Sequence, residues 1–84
     1  MHLPPVRQLQ YLVALREELH FGKAARSLNV TQSTLSSGIR ELETSLGITL
    51  VERTNRSVSF TTAGEKITDR ARYVLMQVED LVTE

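Results

Sequence analysis

Residues 21–40 read FGKAARSLNVTQSTLSSGIR, and the spacing of their side chains predicts two helices joined by a tight turn. Ala24 and Ala25 are small, so a second helix can cross closely over the first. Asn29 stands at the turn, where asparagine tolerates the left-handed backbone that a tight connection often needs. Thr31 is a good N-cap for the helix that follows. This segment therefore has the layout of a helix-turn-helix.

The second helix of this segment is predicted over residues 32–46 and has two contrasting faces. Apolar side chains recur along one face with helical spacing: Leu35, Ile39, Leu42 and Leu46. The other face has no acidic residue before Glu41 and consists of Gln32, Ser33, Thr34, Ser36, Ser37 and Arg40. Short hydroxyl side chains permit a close approach to phosphates and base edges, whereas a solvated face more often uses Glu, Lys and Gln. We therefore expect this face, with Thr31, to bind double-stranded DNA. The alternative is an amphipathic hairpin with a solvated polar face.

Length and composition limit the remaining classes. The chain has 84 residues, enough for one small domain, and its 40% hydrophobic and 24% charged residues are ordinary for a soluble globular fold. It contains no cysteine, which excludes disulfides and thiolate metal sites, and its two histidines do not build a metal centre. No apolar stretch is long enough to span a bilayer, and the N-terminus lacks the features of a signal peptide. We therefore expect a cytoplasmic protein with no metal, no cofactor and no membrane partner.

The charge of the chain is unevenly distributed. The formal net charge is zero, which by itself is unfavourable for binding nucleic acid. However, residues 19–40 contain three basic residues and no acid, and residues 53–64 contain Arg53 and Arg56 and no acid. Two segments of modest positive charge predict modest DNA affinity for a single copy. We therefore expect DNA binding to depend on dimerisation.

The sequence period changes where a glycine ends the second helix. Residues 48–51 and 57–60 are short strand-like runs, and the polar residues 52–56 between them predict a turn. We interpret this segment as a two-stranded wing with Arg53 and Arg56 at its tip, where they reach phosphates or a minor groove. The alternative is a solvated hairpin with ordinary surface arginines.

A last helix is predicted to begin near residue 62, with either Thr61 or Thr62 as its N-cap, the latter in a capping box with Glu65. Apolar residues then form a heptad-like seam, a candidate dimer interface: Ile67, Ala71, Val74, Leu75, Val78, Leu81 and Val82. The alternative is that this seam packs back onto the chain's own core. The helix has no stop signal, so we expect the chain to continue in a longer protein. We divide it into a DNA-binding domain at 1–61 and a linker helix for dimerisation at 62–84.

The chain resembles the N-terminal DNA-binding domain of LysR-type transcriptional regulators over essentially its whole length. The landmarks of this resemblance follow in order: Leu12-Val13-Ala14, His20-Phe21, Ala24-Ala25, Leu28-Asn29-Val30-Thr31-Gln32, Leu35-Ser36, Ile39, Leu42-Glu43, Leu46-Gly47, Leu50-Val51-Glu52-Arg53-Thr54, Arg56, Thr61 and Ala63-Gly64-Glu65. The resemblance implies a winged helix-turn-helix and a long linker helix that pairs antiparallel with that of a second copy. It also implies that a small-molecule effector acts only through a C-terminal domain absent from these residues. The runs TLS, LVERT and VSFT are further similar to the peroxide-responsive branch of the family.

On the matching positions, the resemblance implies that the recognition helix begins with Thr31, Gln32, Ser33, Thr34 and Ser36, and that Arg53 and Arg56 contact DNA from the wing. We expect Gln32 to read a base, because an amide pairs bidentately with adenine, and Thr31 and Ser36 to contact phosphates. Three positions depart from the family's pattern, namely Ser33 in place of a common proline, Ser37 in place of a common basic residue, and Gly38 in place of a longer side chain. The glycine lowers helix propensity and allows a close approach to the backbone.

These observations predict a mainly α fold: a winged helix-turn-helix of three helices and a two-stranded wing, followed by a long C-terminal helix. The expected function is sequence-specific binding of double-stranded DNA, as the DNA-reading domain of a bacterial transcriptional regulator, at an interrupted inverted repeat in a promoter region. An enzyme is not expected, because the serines have no His–Asp relay and no glycine-rich phosphate loop is present. The alternative function is a protein-interaction module that acts through the seam at 67–82. We expect homodimers of this chain.

Overall fold

In a computed structural model, which describes residues 3–54 and 57–84, the chain forms four helices and one two-stranded sheet. The elements in chain order are α1 Val6–Glu18, α2 Phe21–Ser27, α3 Gln32–Leu46, β1 Val51–Arg53, β2 Val58–Phe60 and α4 Thr62–Thr83. Helices α1, α2 and α3 pack on one another, and α4 packs along α1. The predicted mainly α fold is therefore confirmed. No helix within the described ranges is long and apolar enough to cross a membrane.

The turns of the helix-turn-helix form at the residues predicted from the sequence. His20 precedes α2, and its Nδ1 accepts a hydrogen bond from the backbone N–H of Lys23 at 3.0 Å. Asn29 has a φ of 57°, which is the left-handed conformation expected at the turn. Thr31 caps α3, because its Oγ1 accepts a hydrogen bond from the backbone N–H of Thr34 at 3.0 Å. Local side-chain chemistry thus determines where α2 and α3 begin.

The core lies between α1, α3 and the start of the wing. Its buried apolar side chains are Tyr11, Leu12, Ala14, Leu15, Ala24, Ala25, Leu35, Ile39, Leu42, Leu50 and Val51. Ala24 and Ala25 are at most 2% exposed, so the small residues of α2 do lie at a close crossing. Burying a larger aliphatic side chain, such as Leu35 or Ile39 of α3, stabilises the fold by about 1.5–3 kcal/mol. The apolar stripe of α3 therefore fixes which face of this helix remains outside.

Tyr11 of α1 packs directly on Gly38 of α3. The tyrosine ring is only 6% exposed, and a Cβ added to Gly38 would lie 2.6 Å from ring atom Cε2. The close approach predicted at Gly38 is therefore made by a side chain of α1 and not by another backbone. Because the ring fills the space of the missing side chain, α1 lies close against the middle of α3.

The wing is an antiparallel pair of strands in which Val51 lies opposite Phe60. Its first strand begins at Val51, three residues later than the predicted run from residue 48. At residue 50 the physical cause is that the backbone N–H of Leu50 donates to a side chain, Oε2 of Glu43, at 2.9 Å. This donor is therefore not available to a strand partner, and the ladder begins one residue further along the chain.

Helix α4 begins at Thr62 and has Thr61 as its N-cap, since Oγ1 of Thr61 accepts a hydrogen bond from the backbone N–H of Gly64 at 2.9 Å. The capping box that would start at Thr62 does not form. Glu65 instead pairs with Nε of Arg16 at 2.7 Å, and this hydrogen bond and its charge raise the pKa of Arg16. The first turn of α4 is therefore tied both to its own cap and to α1.

The apolar seam of α4 divides into two parts. Its first part packs inside the chain: Ala71 is 3% exposed, and Ile67 packs against the core, as the alternative reading of the seam allows. In the second part, Leu75 and Val78 are half-buried, and the exposed apolar side chains are Tyr73, Val74, Met76, Leu81 and Val82. The large exposed apolar side chains of α4 therefore lie in its second half.

Candidate nucleic-acid interface

The polar face of α3 is the centre of the candidate interface. All its members are exposed except the half-buried Ser36: Gln32, Ser33, Thr34, Ser36, Ser37 and Arg40. The first turn of α3 contains no acidic residue. Because the N-terminus of a helix carries unpaired N–H groups and a partial positive charge, this end of α3 favours an anionic partner. The geometry thus brings together the residues predicted on this helix.

The polar face continues onto the neighbouring elements. Gln32 and Ser36 border a cleft whose other side is formed by Phe21 and Arg53. Ser33 and Ser37 border a second depression, on the α1 side, together with Arg7 and Tyr11. Arg40 borders a third depression together with Arg53. One polar surface therefore runs from the start of α1 across α3 to the wing.

Arg7 was missed from the sequence. It is exposed on the first turn of α1 and lines the same depression as Ser33 and Ser37. In the sequence it is one basic residue at the start of an amphipathic helix, far along the chain from the recognition helix. Its position beside Ser33 and Ser37 depends on how α1 packs on α3, which the spacing of residues along the chain does not reveal.

The hydroxyl of Thr31 is already engaged within the protein. Besides accepting from the backbone N–H of Thr34, its Oγ1 donates to Oγ1 of Thr34 at 2.8 Å. Its proton is therefore used internally, whereas Oγ1 of Thr34 acts as acceptor in this pair and retains its own proton for another partner. Of these two predicted contact residues, Thr34 is the better donor to a phosphate oxygen.

The sequence predicted Arg53 at the tip of the wing. In the structure it is the last residue of β1. Its guanidinium carbon lies 5.2 Å from the centre of the Phe21 ring, a cation–π arrangement, and its Nη2 lies 4.0 Å from Oε1 of Glu43. Burial lowers the pKa of Arg53, and repulsion from Arg40 acts in the same direction, yet an arginine remains charged at neutral pH. Arg56, the other predicted wing contact, lies outside the described residues.

Glu43 was not singled out as a site residue, although it is central to the geometry. Its Oε2 accepts hydrogen bonds from the backbone N–H groups of Leu50 and Val51, at 2.9 and 3.1 Å. The sequence signal was an acid adjoining the apolar stripe in the last turns of α3. The contact joins α3 to the start of β1 across a connection with no regular secondary structure. The spacing of residues along the sequence therefore does not reveal it.

An exposed polar recognition helix, α3, which packs on α2 and is flanked by a β-wing with basic residues nearby, defines a winged helix-turn-helix DNA-binding domain. Residues 6–65 match the lysR family of bacterial regulatory helix-turn-helix proteins. The chain belongs to this family. Among the described residues, no group of three or more His, Cys, Asp or Glu side chains is arranged to hold a metal ion.

Known members of the family are similar over most of this chain. The transcriptional regulator AlsR of Bacillus subtilis is 53% identical over 73 residues, which cover 87% of this chain and 24% of AlsR. The transcriptional dual regulator OxyR of Escherichia coli is 54% identical over 76 residues, covering 90% of this chain and 25% of OxyR. The similarity to peroxide-responsive regulators is thus confirmed, and AlsR is similar to the same degree. The chain spans about a quarter of the length of these relatives.

A solved structure places the same fold on DNA. The BenM DNA-binding domain in complex with benA site 1 DNA superposes with a TM-score of 0.87 at 40% identity. The match covers 94% of this chain and 89% of that one. The fold described above is therefore that of a domain which binds DNA in this family member.

Proposed function

We propose that this chain is the DNA-reading domain of a bacterial transcriptional regulator and binds double-stranded DNA sequence-specifically. The observation that carries this proposal is the continuous polar surface of α3, which is free of acids from Gln32 to Arg40 and is flanked by Arg7 and Arg53. In this arrangement α3 enters the major groove, and the wing, residues 52–57, lies on phosphates or the minor groove. Arg7 and Thr34 join the earlier candidates as phosphate contacts.

The test of this proposal is selection of bound duplexes from a random DNA pool, repeated across a salt series. Enrichment of an interrupted inverted repeat, with affinity that falls as salt rises, is the expected result. Binding without enrichment would remove sequence-specific recognition from the proposal. No binding even at low salt would favour the alternative function, a protein-interaction module that acts through the seam at 67–82.

Gln32 is proposed to read a base, because it is the first residue of α3 and its exposed amide borders the cleft toward the wing. Gln32→Ala should weaken binding to the selected duplex by about 1–3 kcal/mol and binding to random DNA by less. Ser37→Ala on the same helix is a matched control, since a single hydroxyl discriminates bases less well than an amide. An equal loss on both duplexes would mean that Gln32 positions the domain and does not specify sequence.

Two copies are proposed to pair through the exposed second half of α4, which places two recognition helices on half-sites about one or two helical turns apart. Leu81 is 75% exposed and Val82 is 78% exposed, so a charge there leaves the monomer's core intact. Leu81→Glu should lower the dimer fraction in sedimentation equilibrium and weaken binding to the full repeat, while Lys66→Glu, on the first half of α4, should not lower the dimer fraction. A monomeric wild-type chain that occupies both half-sites independently would contradict this pairing.

The remaining proposals concern the whole protein. Residues 1–61 act as the DNA-binding domain and 62–84 as the linker helix, and the regulator acts in the cytoplasm, where its promoter DNA is located. A small-molecule effector acts through a C-terminal domain beyond these residues. The chain itself has no catalytic role in this proposal, which is consistent with relatives that are transcriptional regulators. A fusion of the chain to an unrelated dimeric domain should bind the operator as the whole regulator does. Unlike the whole regulator, it should not respond to the effector.

A further inference from the structure

Glu43 joins the recognition helix to both ends of the first wing strand. Its Oε2 accepts from the N–H groups of Leu50 and Val51, at the start of β1, and its Oε1 lies 4.0 Å from Nη2 of Arg53, at the end of β1. The side chain of Glu43 is only 18% exposed. A single, largely buried carboxylate therefore links α3 to both the start and the end of β1.

An acid at this point opposes the attraction of the protein for DNA. Glu43 lies beside the two guanidinium groups that border the same depression, Arg40 and Arg53, and its charge lowers the positive potential that a phosphate would meet. Hydrogen bonds to an ionised acceptor are short and directional, however, and two of them on one oxygen fix the strand in place. The negative charge of Glu43 lowers affinity for DNA of any sequence. The fixed position of β1 raises affinity only for a duplex that α3 and the wing must fit at the same time.

Arg53 depends on the same contact. Its Nε and Nη2 are buried and form no hydrogen bond within the part of the chain that the structure describes. The guanidinium is therefore held by stacking on Phe21 and by the charge of Glu43, and its direction follows the position of β1. Movement of β1 relative to α3 would turn Arg53 away from the cleft that it shares with Gln32.

We propose that Glu43 is a positioning residue that fixes the wing relative to the recognition helix and thereby sets the DNA specificity of the domain at the expense of its general DNA affinity. This inference rests on the proposed function, because specificity presupposes sequence-selective binding. It assigns no DNA contact to Glu43 itself. Loss of its carboxylate should lower affinity for the preferred duplex while leaving unchanged, or raising, affinity for unrelated DNA.

The test uses the 84-residue chain with Glu43→Gln and Glu43→Ala. Glu41→Gln is the matched control, because it removes the same charge from an exposed position on α3. Thr68→Ala is the control for reduced stability, since it removes a buried hydrogen bond within α4, to the carbonyl of Gly64. Dissociation constants are measured for the duplex selected from the random pool and for a scrambled duplex of equal length, at a temperature where every variant is folded.

The specificity ratio is the dissociation constant for the scrambled duplex divided by that for the selected duplex. This ratio should fall about tenfold in Glu43→Gln and further in Glu43→Ala, because each variant weakens or removes charged hydrogen bonds. In both control variants it should stay within about twofold. Parallel losses on the two duplexes, or an equal fall in Glu41→Gln, would overturn the proposal, since a purely structural or purely electrostatic role predicts these results.

Amide hydrogen exchange of the DNA-free protein provides a second readout. The amides of Leu50 and Val51 should exchange about tenfold faster in Glu43→Ala than in the wild type, while core amides of α1 change little once the stability difference is subtracted. Unchanged exchange at both amides would overturn the positioning role even if DNA binding fell. A wild type that shows no preference between the duplexes would refute the proposed function, whereas the exchange result would still decide whether Glu43 holds the wing.

Discussion

Replacing Gly38 by alanine should destabilise the domain, although helix propensity alone predicts the opposite. Alanine is favoured over glycine inside a helix by about 1 kcal/mol. In this structure the new Cβ would lie 2.6 Å from Cε2 of Tyr11, roughly 1 Å inside the ordinary separation of about 3.5–4.0 Å between carbons. The ring is 6% exposed and retreats only if α1 moves away from α3. Overpacking of this kind costs about 1–3 kcal/mol, and the short contact places the cost near the upper value. The net loss should therefore be about 1–2 kcal/mol, or a fall in Tm of about 4–16 °C.

Urea unfolding followed by circular dichroism measures this loss, with equal m-values as the criterion that both variants unfold in two states. The same substitution in a Tyr11→Ala background is the control, measured with an osmolyte to keep the weakened fold populated. Without the ring, Gly38→Ala should become stabilising by up to about 1 kcal/mol. A Gly38→Ala protein as stable as the wild type, or an equal loss in both backgrounds, would refute the packing argument.

Three further outcomes test local features. Thr61→Ala should lower the free energy of unfolding by about 1–2 kcal/mol in urea, because the cap of α4 is lost. Thr62→Ala should change it by less than about 0.5 kcal/mol. Equal effects would mean that the cap is wrongly assigned. Asn29→Ala should destabilise by about 1 kcal/mol, since φ is 57° there, and Asn29→Gly should be nearly neutral. Arg53→Gln should lower stability by about 1 kcal/mol more than Arg40→Gln, because it removes the stacking on Phe21. Thermal melts that rank the two variants in reverse would contradict that role.

The helix-turn-helix was predictable because its determinants are local. The left-handed turn at Asn29 and the cap at Thr31 each depend on a side chain and its nearest neighbours along the chain. The exposed face of α3 followed from the same helical period that predicts the buried one. Leu19 is the local exception: it ends α1 with a φ of 50°, a conformation that its side chain does not favour, so no sequence pattern marks it.

The wing was predicted less well because its geometry depends on contacts between distant segments. Spacing predicts a strand from residue 48, but Glu43 takes the N–H of Leu50 and shortens it. Which of Thr61 and Thr62 caps α4 likewise depends on a contact with a distant segment. A Cβ at Gly64 would collide with the carbonyl oxygen of Leu50, so α4 must start where the glycine meets the wing. The position of Arg53 against Phe21 is a tertiary contact of the same kind.

The distribution of burial along α4 has a consequence for how this helix folds. Its buried residues are Gly64, Thr68 and Ala71, all in its first half. The remaining residues, 72–83, have no core of their own, and an isolated helix of that length is marginal in water. Part of the order in this half is therefore supplied by whatever covers it, so folding of the helix end and association are coupled. In a chain that pairs, ellipticity at 222 nm rises with protein concentration, and dilution uncoils the end of the helix before it affects the DNA-reading face.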